Sequence, residues 1–288
     1  MGYVDEAFEN LRQALEITQT EKNFAKSKHR QIRDHVGEEW DLTDNFLTGS
    51  YSRETKTKKL KDVDIFIVVD PDSVQGDLRK KDPSQILAQL KGVLDKKYSD
   101  VVSDGFACTV KFGSEDEVAS FDVVPAFERD GGGYEIPDAR RGRWIATNPK
   151  AHRETTTEKN KKCGGSFVPF VKMVKGMNRE FDEAISPSFL LEVMAYSLVK
   201  EPFGRYQDEI CWFLASAADR VGENWPDPAG LGPDVNDTWN SSDRRQAKES
   251  LTEWLKIAEE ALRLEDDGQE RAAVEEWRRL FGSRMPRP

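Results

Sequence analysis

The sequence predicts a mixed α/β (α+β) protein in which a small mixed sheet, preceded by a long helical segment, packs on a mostly helical second half. Three observations lead to this fold class. Apolar side chains recur every three or four residues before residue 41, residues 62–69 (DVDIFIVV) form a β-prone run, and the spacing is helical from about residue 166 onward. The 288 residues, of which 37% are hydrophobic, can supply a proper core.

The first 40 residues predict one long amphipathic helix or two helices in line. Their apolar side chains lie at the spacing of a single helical face: Val4, Phe8, Leu11, Leu15, Phe24, Ile32 and Val36. A short strand at 45–48 is predicted to follow and to end at Gly49-Ser50. The strand at 62–69 comes next, and Asp70-Pro71 ends it.

The remaining elements divide the chain into two predicted lobes. A helix is expected at 84–98, and strands at 106–112 and 118–127 are expected to form a hairpin around turn residues 113–116. Five helices are then predicted, at 167–179, 188–200, 208–218, 243–264 and 269–281, the last ending at Gly282. We place the boundary near residue 160, so that lobe 1–160 includes the N-terminal helix and lobe 161–288 completes a shared cleft.

The composition excludes several classes of protein. A net charge of −10 argues against coating nucleic acid, because phosphate neutralisation needs a basic surface. The basic stretches 53–61, 140–143 and 150–162 are predicted to be solvated. The last of them either guides anionic substrate into the cleft or is a mobile loop, and we favour the loop. The three cysteines and three histidines lack ligand spacing, which argues against structural zinc and a disulfide framework. Because no apolar run of membrane-spanning length occurs, we expect a cytoplasmic protein that does not enter a membrane.

Three aspartates fall within predicted strands. Because side chains alternate along a strand, Asp62 and Asp64 lie on the face opposite Val63 and Ile65, roughly 6–7 Å apart. Asp122 lies between apolar residues of another strand, where an isolated charge is costly. Carboxylates so close together repel one another unless a cation compensates them. The pattern therefore predicts a metal site for two Mg²⁺ ions, with Mn²⁺ as an alternative.

The segment before these carboxylates predicts a phosphate-binding turn. Gly49 lets the backbone approach a phosphate closely, the Ser50 hydroxyl can donate to it, and Arg53 and Lys56 add positive charge. A lone Gly-Ser is more often an ordinary turn and a lone DxD a surface feature, so the prediction depends on their combination. The order suits in-line displacement at the α-phosphate of a nucleoside triphosphate. Neither GxxxxGK[ST] nor GxGxxG occurs between a strand and a helix.

These residues resemble a known family. The segment GSYSRETKTKKLKDVDIFIVV (49–69) resembles the signature of polymerase β-like nucleotidyltransferases, specifically the bacterial cGAS/DncV-like enzymes (CD-NTases) of CBASS antiphage systems. FDVVPAF (121–127) resembles the family's third-carboxylate strand. The resemblance implies that Asp122 completes metal binding and activates the acceptor hydroxyl, and that Asp62, Asp64 and Asp122 are catalytic.

Two helical segments extend the resemblance. FVPFVKMVKGMNRE (167–180) resembles the family helix whose lysine reaches the triphosphate, with Lys175 as the better match and Lys172 as second choice. SFLLE resembles a helix whose first residue, Ser188, contacts nucleotide, although a serine there also suits an N-cap. Tyr51 is a further candidate nucleotide contact, and with Trp144 and Tyr196 a candidate for stacking on a base.

The resemblance implies synthesis of a cyclic di- or trinucleotide second messenger from ATP, with other NTPs left open, and release of pyrophosphate. No activation by double-stranded DNA is expected, because the zinc insertion of the animal sensor has no counterpart in this sequence. We expect a monomer, and a regulatory protein partner remains open. The alternatives are a transferase acting on a tRNA end, a small molecule or a protein, and a catalytically silent scaffold. The charge disfavours tRNA, and a scaffold is expected to lack at least one carboxylate.

Overall fold

A computed structural model of the protein describes residues 2–112 and 118–288, which form two compact units. The sheet unit contains residues 17–153 and 229–232. The helical unit contains the first 16 residues together with 154–228 and 233–288. This division differs from the predicted single boundary near residue 160, because the first helix belongs with the C-terminal helices. The predicted hairpin turn at 113–116 lies outside the described residues.

The sheet unit is built on a seven-stranded mixed sheet. Its main path runs β1-β2-β5-β4-β3, while β6 pairs with the end of β5 and β7 pairs with β6. The β2–β5 pair is parallel and the other pairs are antiparallel. The strands are β1 Leu42–Leu47, β2 Leu60–Val69, β3 Val101–Ser103, β4 Cys108–Lys111, β5 Val118–Glu128, β6 Tyr134–Asp138 and β7 Arg143–Thr147. The predicted strands are thus present, and β3, β6 and β7 were not predicted.

The two faces of the sheet differ in what covers them. Helices α2 (Gln19–Gly37) and α4 (Pro83–Leu94) contact the sheet and bury the larger core, to which the inward side chains of β2 and β5 contribute. Alternate residues of the same strands face the other way, into a smaller cluster of Phe66, Val68, Val124, Ala126 and Tyr134 with Ala107. The second face therefore has room for polar residues near the start of β2.

The helical unit is held together by one large core. Phe8 of α1 (Tyr3–Ala14) makes edge-on contacts with Trp277 and Phe281, with ring centroids 5.1 and 6.0 Å apart. Those contacts explain why the first helix belongs to this unit. The other helices are α6 Phe167–Glu180, α7 Phe189–Leu198, α8 Tyr206–Arg220, α9 Ser241–Asp266 and α10 Glu270–Phe281. All five predicted C-terminal helices are present within a few residues of their expected ends.

The N-terminal segment forms two helices rather than one. Helix α1 ends at Ala14, and α2 starts after Thr18, whose hydroxyl accepts the Glu21 backbone N–H while the Glu21 carboxylate accepts the Thr18 backbone N–H. This capping box satisfies backbone donors that an uninterrupted helix would pair internally. The physical reason for the break is therefore a local hydrogen-bonding motif, T-x-x-E.

The prediction of a mobile loop at 150–162 is wrong, because α5 spans Pro149–Lys162. Pro149 occupies the start of this helix, where its missing N–H costs nothing, and the Asn148 side chain accepts the Ala151 N–H at 3.1 Å. The fold class itself is confirmed as mixed α/β with a small mixed sheet and a helical second half. In the described part of the chain, no helix combines the length and apolarity needed to cross a bilayer.

Candidate active site

The three predicted carboxylates lie on one face of the sheet. Asp64 on β2 is the register partner of Asp122 on β5, and the two strands are parallel. Partners in a parallel pair point to the same side, at a strand separation of about 4.8 Å. Asp62 lies two residues before Asp64 and so shares that side. The opposite side carries the buried residues Val63, Ile65, Phe121 and Val123 of the larger core.

Asp122 has a perturbed pKa. The pKa of Asp122 is raised to about 6, mainly by burial; a hydrogen bond from Thr109 lowers the pKa, and the charges of Asp64 and Asp62 raise it. Thr109 is the antiparallel partner of Asp122 on β4, and its hydroxyl donates to Asp122 Oδ1 at 2.7 Å. The net effect is a carboxylate that keeps its proton to a higher pH than an ordinary aspartate and is ionised above about pH 6.

The carboxylate side chains are engaged by protein groups. Lys56 Nζ lies 2.8 Å from Asp62 Oδ2, and the Lys56 side chain is only 6% exposed whereas that of Asp62 is 43% exposed. Thr109 holds Asp122 as described. Within residues 2–112 and 118–288, no three carboxylate, imidazole or thiol groups lie close enough to enclose a cation with their side chains as they stand.

The predicted phosphate turn forms one short helical turn, α3, spanning Gly49–Ser52. Gly49 has φ of +60°, and a Cβ built on it would lie 1.7 Å from Asp64 Oδ2. Thr48 N donates to the Asp64 carbonyl at 2.9 Å, which fixes the turn against the first carboxylate pair. The Thr48 hydroxyl is buried without a hydrogen-bond partner among the described residues. The turn and the carboxylates therefore form one site, in which glycine is required by both backbone conformation and space.

The two candidate lysines of α6 are both buried in ion pairs within the helical unit. Lys175 Nζ lies 2.8 Å from Oε1 of Glu192, a carboxylate on α7 that is fully buried. Lys172 Nζ lies 2.7 Å from Glu16 Oε2, and Glu16 is partly exposed. The better sequence match, Lys175, is therefore also the lysine with the more deeply buried partner.

Ser188 immediately precedes α7 and takes the N-cap position there. Its φ and ψ are −62° and −16°, which are helical values, and its side chain makes no capping hydrogen bond. The Ser188 side chain therefore does not cap α7, contrary to the alternative that the sequence offered. Its hydroxyl stands beside the first turn of the helix that carries Glu192.

Residues 1–160, more than half of the chain, match the family described as the Second Messenger Oligonucleotide or Dinucleotide Synthetase (SMODS) domain. The chain belongs to the SMODS family. The matched segment contains the turn and all three carboxylates, so the predicted resemblance to CD-NTases is confirmed.

Two relatives illustrate what SMODS-family chains of similar sequence do. The cyclic AMP-AMP-AMP synthase of Acinetobacter sp. (strain ATCC 27244 / 9458) is 29% identical, over 97% of this chain and 84% of its own. The cyclic AMP-AMP-GMP synthase of Enterobacter hormaechei subsp. hoffmannii (strain UCI 50) is 27% identical, over 61% of this chain and 48% of its own. Both are synthases of cyclic nucleotides.

Solved structures share the fold of this SMODS protein. E. coli MS115-1 CdnC with ATP superposes with a TM-score of 0.75 at 15% identity, covering 98% of each chain. The same CdnC in complex with HORMA-deltaN gives 0.74 at 14% identity, again covering 98% of each chain. Vibrio cholerae DncV cyclic AMP-GMP synthase gives 0.65 at 12% identity, covering 99% of this chain and 87% of its own.

The aromatic candidates for base stacking are engaged in packing. Tyr51 and Trp144 pack against the larger core, on the face opposite the carboxylates, and burial raises the pKa of the Tyr51 hydroxyl. Tyr196 stacks on Phe167 with ring centroids 5.6 Å apart, and its hydroxyl lies 2.8 Å from Thr156 Oγ1. Tyr51 is only partly buried by this packing and stays a candidate nucleotide contact.

Two contacting residues were not assigned a role from the sequence. The Thr109 hydroxyl donates a hydrogen bond to Asp122. The sequence indicated this contact only through the position of Thr109 opposite Asp122 in the predicted hairpin of β4 and β5. Glu192 was noted only as part of the SFLLE pattern, yet it is the buried partner of Lys175. A buried glutamate in an otherwise apolar helix requires a cationic partner. The apolar sequence around Glu192 could therefore have predicted that a lysine or arginine pairs with it.

Proposed function

We propose that this SMODS-family protein is a divalent-cation-dependent nucleotidyltransferase that joins nucleoside triphosphates into a cyclic di- or trinucleotide and releases pyrophosphate. One observation carries the proposal: Asp64 and Asp122 are register partners on parallel strands, with Asp62 on the same face. The Gly49 turn supports it, because that turn contacts Asp64. We further propose that it acts in the cytoplasm as a monomer, in antiphage defence.

The residues of the carboxylate face fit Mg²⁺, with Mn²⁺ as an alternative. They offer only oxygen donors, which Mg²⁺ prefers together with substrate phosphates. The raised pKa of Asp122 shows that its buried charge is poorly compensated, and bound cations would compensate it. Asp62, Asp64 and Asp122 would hold two ions, which when bound would acidify the attacking hydroxyl and neutralise the departing pyrophosphate.

During the displacement, the chain's own residues accept a proton and orient the triphosphate. The acceptor hydroxyl oxygen bonds to the α-phosphorus while the bond from that phosphorus to the bridging oxygen breaks, so pyrophosphate leaves. Asp122 accepts the hydroxyl proton on the oxygen that Thr109 does not bond, and a pKa of about 6 suits a general base near neutral pH. Asp62 and Asp64 would orient the triphosphate against the turn through the cations that they hold.

Nucleotide binding is assigned to the turn and to α6 and α7. The Gly49 backbone and the Ser50 hydroxyl would contact phosphate oxygens, with positive charge from Arg53 nearby. In the helical unit, Lys175, with Lys172 as second choice, and Ser188 would contact the triphosphate. The missing capping bond of Ser188 supports its part in this assignment.

The relatives suggest the substrate. The relative that aligns with 97% of this chain is a cyclic AMP-AMP-AMP synthase, so we propose ATP as the main substrate and leave other NTPs open. CdnC, which shares the fold, has been solved in complex with HORMA-deltaN. We therefore propose that a regulatory protein also binds this chain. No activation by double-stranded DNA is proposed. A transferase for a tRNA end, small molecule or protein would need that acceptor, whereas a cyclase needs NTPs alone.

The test is product analysis. Each labelled NTP, and all four together, are incubated with the protein and Mg²⁺ or Mn²⁺, treated with phosphatase and nuclease, and examined by mass spectrometry. We expect a phosphatase-resistant cyclic product containing adenosine. The paired variant Asp62→Asn, Asp64→Asn should lose it, whereas Asp95→Asn, which breaks only a surface pair with Lys91, should not. Full turnover by the paired variant, or labelling only of an added acceptor, would refute the proposal.

A further inference from the structure

Lys56, which the sequence predicted to add positive charge at the phosphate turn, is a buried cation paired with a carboxylate of the candidate site. Its Nζ lies 2.8 Å from Asp62 Oδ2. The lysine side chain is almost completely enclosed, whereas Asp62 is substantially exposed on the carboxylate face. Most lysine ammonium groups reach solvent, so an enclosed one directed at a proposed metal ligand calls for an explanation.

The backbone holds Lys56 beside the phosphate turn. Thr55 N donates to the Ser50 carbonyl at 3.0 Å, which ties the preceding residue to the turn. Thr55 and Thr57, on either side of the lysine, are fully buried. The anchor of the side chain is therefore fixed, while its flexible four-carbon stem can place the ammonium at either Asp62 or Ser50.

The charge of Lys56 has opposite effects on the two components of the substrate. An ammonium at Asp62 repels a divalent cation that approaches the same carboxylate, and it occupies one of the oxygens that the cation would use. The same ammonium attracts a triphosphate at the turn. Without nucleotide it therefore opposes metal binding, and with nucleotide it has a second anionic partner within reach.

We propose that Lys56 is a nucleotide-responsive gate on the metal site: it neutralises Asp62 and disfavours divalent-cation binding in the free protein, and the incoming triphosphate draws it to the phosphates. Cations then load together with the nucleotide rather than before it. The inference deepens the proposed function and rests on it in taking Asp62 as a metal ligand. It accounts for the enclosed position of the Lys56 ammonium beside Asp62.

The experiment measures Mn²⁺ binding by the electron paramagnetic resonance signal of free Mn²⁺, so it does not depend on turnover. Wild type and Lys56→Met are titrated without nucleotide, and again with an ATP analogue whose α–β bridging oxygen is CH₂. The matched control is Lys58→Met, the same substitution at an exposed lysine of the same loop. Lys56→Arg keeps the charge, and Lys56→Gln removes it while keeping a donor for Asp62.

The gate predicts changes of opposite sign. Lys56→Met should bind Mn²⁺ without nucleotide about tenfold more tightly than wild type, the scale on which one charge at 4–6 Å alters an ionisation equilibrium. In a separate calorimetric titration with EDTA, Lys56→Met should bind the analogue about tenfold more weakly than wild type, whereas Lys56→Arg and Lys58→Met should resemble wild type in both measurements. Lys56→Gln should reproduce the effects of Lys56→Met, and serves in its place if thermal unfolding shows that the methionine variant does not fold.

Unchanged or weaker Mn²⁺ binding by the folded neutral variants without nucleotide would overturn the gate and make Lys56 a residue that merely orients Asp62. In that case wild type still binds Mn²⁺ with the analogue, and the proposed function stands. If wild type binds no Mn²⁺ even with the analogue, and Asp62→Asn changes nothing, the proposed function fails together with the gate.

Discussion

Replacing Asp122 by asparagine should stabilise the metal-free protein while abolishing synthesis. Asparagine keeps the shape of the side chain and can still accept the Thr109 hydroxyl, which lies 2.7 Å from Oδ1. It cannot carry the charge that burial and the neighbouring aspartates disfavour. The substitution therefore separates the cost of the buried charge from the cost of losing packing.

The magnitude follows from the shift in pKa. In the folded protein the pKa of Asp122 rises from 3.8 to about 6, because burial and its aspartate neighbours favour the protonated form. Below about pH 4 the group is protonated in both folded and unfolded chains, so it costs nothing. As pH rises through 4 to 6 the folded protein loses stability relative to the variant. The full difference, about 3 kcal/mol, is reached above pH 6.

The assay is urea unfolding at pH 4, 5, 6 and 8 with EDTA, followed by the same series with Mg²⁺. We expect the two proteins to be equally stable at pH 4 and the variant to be more stable at pH 8. Added Mg²⁺ should narrow the gap by stabilising only the wild type. Parallel stability curves at all four pH values would refute the reasoning, because they would show that Asp122 bears no desolvation cost.

Three further predictions concern the turn and the helical unit. Gly49→Ala should abolish synthesis and lower the melting temperature, because a Cβ there meets Asp64 Oδ2 at 1.7 Å on a backbone with positive φ; wild-type values in both assays would contradict this. Glu192→Leu alone should destabilise the protein by about 3–5 kcal/mol in urea unfolding, since it leaves Lys175 charged and buried, and adding Lys175→Met should recover most of that loss. Ser188→Ala should leave the melting temperature within about 1 °C, because no capping bond is lost, but raise KM for ATP; a drop of several degrees would instead support a structural role.

The carboxylate face was predictable from sequence because it depends on local rules. Alternation along β2 places Asp62 and Asp64 on one side regardless of what packs above them. The register of Asp64 with Asp122 was not predictable, since it depends on the parallel pairing of strands more than 50 residues apart. The sequence suggested that three aspartates converge, and the structure supplies the pairing that makes them converge.

The predictions that failed did so where local signals competed or where tertiary contacts decide. The choice between one N-terminal helix and two, which the sequence left open, is decided by the capping box of Thr18 and Glu21. The segment of α5 is strongly polar, and its start at Pro149 was not recognised. Short strands such as β3 and β7 carry too few residues to show alternation. The burial of Lys56 and its pairing with Asp62 depend on how the loop folds back, which no spacing rule describes.

The central claim is that Asp62, Asp64 and Asp122 hold divalent cations against a nucleotide bound at the Gly49 turn. Anomalous diffraction from crystals grown with Mn²⁺ and the methylene analogue of ATP tests this directly. We predict anomalous peaks at about 2.0–2.3 Å from oxygens of all three aspartates and from the analogue's phosphates. Peaks bound to other side chains, or a nucleotide whose phosphates lie away from the turn, would contradict the claim.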